Sequence, residues 1–178
     1  MLDGQPEKVV LVGHSFNGIT VSRVAELRPK KIDRLVYLTA FLLPNGASFY
    51  DAVKGVPDSK AVEHFFLSED QTEAFVKVEE MQDTFAHDIP AEAFNQAIAY
   101  IVPEPAAPLG YKLEVTDAVF GKIPKYYIEC TDDRAIPISA QRNMYEGKVE
   151  KVFTLNSSHT PNFSQPDKLA AILLEVIQ

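Results

Sequence analysis

The sequence predicts an α/β fold in which a mostly parallel sheet is flanked by helices. Three observations lead there. Short apolar runs rich in Val, Ile, Leu and Tyr alternate with helical patterns toward both ends of the chain. These runs are nearly continuous in hydrophobicity, as expected of strands covered on both faces. The residues best suited to chemistry follow directly after the runs, on the carboxyl rim of the implied sheet, where open α/β sheets bind ligands.

The first strand covers Val9-Val10-Leu11-Val12 and is followed by Gly13-His14-Ser15-Phe16-Asn17-Gly18. A helix from about residue 18 to 27 carries Ile19, Val21, Val24, Ala25 and Leu27. It ends before Pro29, because proline disfavours helical geometry in the residue preceding it. Residues 33–39 give a second strand, which completes one βαβ unit. At Pro44-Asn45-Gly46 the alternation stops. Residues of about 46–112 are expected to form a helical cap inserted into a core made of 1–45 and 113–178. Within the cap, Asp70-Gln71-Thr72-Glu73 opens a helix carrying Phe75, Val78 and Met81, and Pro90 opens another carrying Ala93, Phe94, Ala97, Ile98 and Ile101. Pro103, Pro105 and Pro108 close it. The strand and helix pattern then resumes with a strand at Lys125–Cys130, a helix at Ile138–Tyr145, a strand at 149–155 and a last helix at 167–177.

Composition limits the function classes. With 178 residues, 46% of them hydrophobic and 24% charged, the chain suits one globular domain with a sizeable core. The 25 acidic residues outnumber 17 basic ones for a net charge of -8, and no Lys/Arg stripe exists to hold a polyanion, so nucleic acid is not an expected partner. No apolar run approaches the roughly 20 residues that span a bilayer, and Met1-Leu2-Asp3-Gly4-Gln5 lacks the basic and apolar regions of a signal peptide. A cytoplasmic protein without membrane partners is expected. Cys130 is the single cysteine, which excludes an internal disulfide.

The chemistry gathers on one rim. Ser15 follows the first strand in a glycine-flanked strand-to-helix turn, the layout that holds a nucleophilic hydroxyl exposed above a sheet. Asp132 and Asp133 follow the third strand and His159 follows the fourth. Alone, each has an ordinary reading: Ser15 as a helix cap or a residue beside a bound phosphate, the aspartates as turn residues, His159 as a polar loop residue. Together they give the order serine, acid, histidine on three separate loops, the chain order of a hydrolytic triad on this class of sheet. The glycine spacing does not fit a dinucleotide fingerprint. His64 and His87 sit among acidic residues of the insertion as surface or cap residues, and His14 is expected to pack around the turn.

Four segments carry a family resemblance: Gly13-His14-Ser15-Phe16-Asn17-Gly18, Leu35-Val36-Tyr37-Leu38-Thr39-Ala40-Phe41-Leu42-Leu43-Pro44, Pro103-Glu104-Pro105-Ala106-Ala107-Pro108, and Tyr127-Ile128-Glu129-Cys130-Thr131-Asp132-Asp133-Arg134-Ala135-Ile136-Pro137. Over almost the whole chain these resemble the methylesterase and hydroxynitrile lyase family of α/β hydrolases. The resemblance implies an α/β-hydrolase fold with Ser15 as nucleophile, His159 as base, Asp133 as the orienting acid and the Phe16 N–H as an oxyanion donor. No cofactor and no metal are expected. Three departures stand out. Asn17 occupies a position where the family has glycine packed tightly against the sheet, so a side chain there needs extra room and crowding is expected. Thr160 follows the histidine where the lyase branch has a lysine for cyanide, which tilts the reading to ester hydrolysis. Only eight residues precede Val9. The family's N-terminal strands, with the loop that supplies the second oxyanion donor, are therefore expected to be missing, leaving an uncovered apolar edge at residues 9–12 that favours self-association into a homodimer.

The expected reaction is two-step acyl transfer on a small-molecule ester. Phe49, Phe65, Phe66, Phe75, Phe85, Phe94 and Tyr100 suit a small apolar or aromatic substrate, although most of them are expected to pack the cap's own core. The alternatives are a hydrolase-fold protein that binds a ligand with little or no turnover, and lyase chemistry, which Thr160 disfavours.

Overall fold

A computed structural model describes residues 2–56 and 58–178. Four parallel strands form the main sheet in the order β1 (Val9–Ser15), β2 (Ile32–Ala40), β6 (Lys125–Cys130) and β7 (Lys151–Leu155). The strands alternate side chains between the two faces, and each face has its own core. Leu35, Tyr37 and Tyr127 point to the side covered by α1 (Asn17–Leu27) and α6 (Ile138–Tyr145), where they meet Ile19, Val21, Ala25 and Ala140. Val36, Leu38, Ile128 and Cys130 point to the opposite side, covered by α8 (Pro166–Val176) through Leu169 and Val176. Double coverage explains why β2 and β6 read as continuous apolar runs. The polar ends of the two buried tyrosines are satisfied: Tyr37 Oη lies 2.7 Å from Ser22 Oγ, and Tyr127 Oη donates to the Ala40 carbonyl at 2.9 Å. Burial pushes both phenols well above the usual tyrosine range.

Between β2 and β6 the chain leaves the sheet and builds over its carboxyl rim. The short helices α2 (Phe49–Val53) and α3 (Lys60–Glu63) come first, α2 opened by a reciprocal capping box between Ser48 and Asp51. A small antiparallel sheet follows, made of β3 (Phe65–Leu67), β4 (Glu73–Val76) and β5 (Glu104–Pro105). It encloses α4 (Val78–Phe85) and α5 (Ala91–Ile98) in sequence. The helix expected to open at Asp70 is therefore a correction: residues 70–72 are a turn and Glu73–Val76 is a strand. Asp70 Oδ1 accepts from Ser68 Oγ, Thr72 N and Thr72 Oγ1, and Gln71 has φ +60°, which closes a hairpin instead of starting a helix. Phe75 stacks on Phe66 across the strands at 5.2 Å, a contact that no single-segment pattern reveals. The helix starts only at Val78. α5 lies as expected, with Pro90 immediately before it. The inserted segment is thus mixed helix and strand, and Met81, Ala86, Ile89 and Phe94 form its own small core.

The remaining elements return to the rim. Leu113, Val115, Phe120 and Ile123 bring the chain back through the core before β6, and a short helix α7 (Pro161–Ser164) leads from the end of β7 into α8. Among the described residues no helix is long and apolar enough to cross a membrane.

Candidate active site

Strand β1 runs through Ser15 itself, and α1 begins two residues later at Asn17. The turn is tight enough to put Ser15 at φ +56°, a conformation that costs a non-glycine residue about 1–3 kcal/mol and persists only where surroundings enforce it. Two glycines do so. A Cβ on Gly13 would stand 2.7 Å from Val21 Cγ2 and 2.9 Å from the Asn17 carbonyl oxygen. A Cβ on Gly18 would stand 2.5 Å from the Phe41 carbonyl oxygen and 2.9 Å from its nitrogen. Gly18 is therefore the residue that lets α1 press against the end of β2. Asn17 is exposed, so the expected crowding at that position does not occur. The Phe16 N–H, at the start of α1, donates to no acceptor among the described residues.

Asp133 and His159 come together as the sequence suggested. Both are buried, and His159 Nδ1 lies 2.6 Å from Asp133 Oδ2. The same oxygen accepts the Thr39 hydroxyl, while Oδ1 accepts the N–H groups of Ala135 at 2.7 Å and Ile136 at 2.9 Å. A carboxylate bonded on both oxygens is fixed in place and accepts from Nδ1–H of the imidazole. This leaves Nε2 of the neutral ring as the atom free to take a proton. Asp132, the other candidate, is largely exposed and faces His87 instead: His87 Nε2 lies 2.9 Å from its carbonyl oxygen and 3.8 Å from its carboxylate. The structure thus separates two aspartates that turn chemistry alone left equivalent.

Ser15 and His159 line one cavity of about 740 Å³, partly open to solvent, between the sheet rim and the inserted segment. Among the described residues the Ser15 hydroxyl makes no hydrogen bond to His159. Such bonds are often long before substrate binds. All seven aromatics singled out in the insertion line this cavity, which corrects the expectation that most of them serve the cap's own core. Phe94 does both. No Lys or Arg is among the described residues of the lining, and no group of His, Cys, Asp or Glu among the described residues is arranged to hold a metal.

Several residues near the site carried no clear sequence signal. Asp88 Oδ2 accepts the Ser158 N–H at 2.9 Å, and the Phe85 carbonyl accepts the hydroxyls of Ser158 at 3.1 Å and Thr160 at 2.9 Å. Asp83 pairs with Lys60 and with Arg134, one residue beyond Asp133. The end of α4 is thus tied to both the acid loop and the histidine loop. His14 does more than pack: its Nε2 lies 2.7 Å from the His159 carbonyl, and burial, with the His159 ring 4.6 Å away, lowers its pKa to about 4. Its place beside Ser15 was the available signal. Thr39, at φ +36° near the end of β2, was readable only as a strand residue.

A doubly covered parallel sheet carrying a strained strand–serine–helix turn under a capped apolar cavity defines a hydrolase-type α/β architecture. The chain belongs to the alpha/beta hydrolase family, whose profile matches residues 1–172. Within it the similarity runs to methylesterase-like proteins. "Putative methylesterase 11, chloroplastic" of Arabidopsis thaliana is 36% identical over 183 residues, covering 96% of this chain and 46% of that protein. Methylesterase 17 of the same plant is 31% identical over 186 residues, covering 96% of this chain and 67% of that protein. The crystal structure of a pyrethroid hydrolase from Sphingobium faniae JZ-2 superposes with a TM-score of 0.86 at 28% identity, covering 98% of this chain and 72% of that one. The chain spans about half the length of the first of these relatives.

Proposed function

We infer that this chain is the serine-dependent part of a carboxylic ester hydrolase working through an acyl-enzyme. Ser15 is the nucleophile, His159 the general base, Asp133 the acid that orients it, and the Phe16 N–H a donor to the developing oxyanion. The observation that carries the reading is the buried Asp133–His159 pair opening onto the same cavity as a serine held at φ +56°. His159 Nε2 takes the Ser15 proton as the hydroxyl oxygen attacks the ester carbonyl, and returns it to the departing alcohol. Asp133 keeps the proton on Nδ1 and offsets the positive charge that forms on the ring. Water then releases the acid by the same steps in reverse order. The names of the relatives, methylesterases and pyrethroid hydrolase, support ester chemistry.

The cavity favours a larger substrate than the sequence suggested. A volume of about 740 Å³ with aromatic walls suits an ester bearing a bulky or extended apolar group. The absence of a cation in the described lining supports hydrolysis over lyase chemistry, since a cyanide leaving group needs one. Thr160, beside the base, has its hydroxyl engaged by the Phe85 carbonyl.

A p-nitrophenyl ester series from acetate to octanoate tests this reading. Each added methylene that is buried contributes about 0.8 kcal/mol, so kcat/KM is expected to rise about threefold to fourfold per carbon until the cavity is filled. Ser15→Ala is expected to abolish turnover. A second reading, binding without turnover, is favoured by the Ser15 hydroxyl, which makes no hydrogen bond among the described residues. It predicts thermal stabilisation by these esters with hydrolysis no faster than Ser15→Ala for any chain length.

A further inference from the structure

We propose that His14 is a positioning residue whose Nε2–H holds the His159 backbone carbonyl and so sets the base against Ser15. The inference rests on the reading of His159 as the base. Because a carbonyl oxygen only accepts, the 2.7 Å contact fixes Nε2 of His14 as the protonated nitrogen. The tautomer follows from the partner.

Three features give this bond its place in the site. His14 immediately precedes Ser15 on β1, so whatever holds its ring is one peptide from the nucleophile. Among the described residues it makes the one hydrogen bond between residues 13–18 and residues 156–160. Every other hold on the histidine loop comes from elsewhere: Asp133 grips the ring at Nδ1, and Asp88 grips the preceding Ser158 N–H. Those contacts set how the imidazole is turned. The His14 bond sets how far it stands from the serine side. The rings of His14 and His159 also lie 4.6 Å apart at 39°, so the donor is carried on a plate packed against the base. Burial keeps His14 neutral, which spares the site a second cation when His159 gains its proton.

Proton transfer between serine and histidine is sensitive to separation, and a misplacement of about 1 Å costs on the order of 10²-fold in rate. Two variants separate the donor from the ring. His14→Phe keeps a planar ring and deletes the donor, whereas His14→Gln keeps an N–H of similar reach and deletes the ring. The readouts are the rate of Ser15 labelling by a fluorophosphonate probe, and kcat and KM on p-nitrophenyl butyrate. His14→Phe is expected to lower the labelling rate and kcat about 10-fold to 100-fold with KM changed less than about twofold. His14→Gln is expected to stay within about threefold of the parent rate, as a retained donor predicts. His14→Phe as fast as the parent, or His14→Gln as slow as His14→Phe, overturns the proposal. If His14→Phe fails to give a cooperative melt, His14→Asn, whose shorter amide does not reach the carbonyl, takes its place with the same expected loss. His159→Ala keeps the two claims apart. Full labelling in that variant overturns the base assignment, while its loss together with a fully active His14→Phe overturns the role of His14 alone.

Discussion

The close approach at Gly18 gives a prediction that depends on geometry alone. In Gly18→Ala the new methyl would lie 2.5 Å from the Phe41 carbonyl oxygen, 2.9 Å from the Phe41 nitrogen and 3.0 Å from Ala40 Cβ. Two of these three atoms belong to backbone at the end of β2, so no side-chain rotation relieves the contact. The helix must move away from the sheet. Gly to Ala inside a helix by itself gains up to about 1 kcal/mol, and this gain opposes the clash. Overpacking of this kind typically costs about 1–3 kcal/mol, with more expected where backbone must shift. With backbone on the far side of the clash the cost sits near the top of that range, so after the helix gain the net change is a destabilisation of about 2 kcal/mol, which for a chain of this size lowers Tm by about 4–8 °C. Because α1 carries the turn, Ser15 also moves, and labelling by a fluorophosphonate should slow at temperatures where the variant remains folded. Asn17→Gly is the control: the exposed side chain leaves room to spare, and Tm should change by less than about 2 °C. A Gly18→Ala protein that melts at or above the parent temperature, or an Asn17→Gly that gains several degrees, would refute the assignment of the close approach to Gly18.

Four further outcomes follow from the same structure. Asp133→Asn should lower kcat by about 10⁴-fold through loss of the correct imidazole tautomer, while Asp132→Asn stays within about twofold; steady-state ester hydrolysis compares them. Thr39→Val removes a hydroxyl donor from the Asp133 carboxylate and should lower kcat about 3-fold to 10-fold with little change in KM. The depressed pKa of His14, about 4 against an ordinary value near 6.5, means that between these limits the unfolded chain binds a proton that the folded chain refuses. Stability from this residue is therefore present above pH 6.5 and lost as pH falls toward 4. Urea unfolding should show a drop of about 2 kcal/mol from pH 7 to pH 5 that is absent in His14→Gln. Burial pushes the Cys130 thiol up to about 12, so the native protein should resist a disulfide-exchange reagent at pH 8 and react only on unfolding in urea.

Much of the sheet and its rim was legible because local pattern and tertiary role agree there. The runs of β2 and β6 are apolar because both faces are covered, and Ser15 ends a strand while Asp133 and His159 each follow one, all three on the same side of the sheet. The inserted segment was harder to read. Phe75, Val78 and Met81 fit a helical spacing, but Phe75 is claimed by Phe66 on a neighbouring strand, and Asp70 spends its side chain on a hairpin turn. Contacts between segments decided that case. The aromatics posed a related difficulty, since the same Phe residues serve a cap core or a cavity wall depending on how the helices sit. At the turn itself, family spacing drew attention to Asn17, whereas the distances place the constraint one residue later. Thr39 and Asp88 act through partners 94 and 70 residues away in sequence, which no local pattern records.

The central claim is that Ser15 is an activated nucleophile. Incubation of the folded chain with a fluorophosphonate, followed by peptide mass spectrometry, tests it most directly. The account predicts one covalent adduct on Ser15, absent in Ser15→Ala and strongly slowed in His159→Ala and Asp133→Asn. A folded protein that takes up no label, or takes it up at another serine, would contradict it.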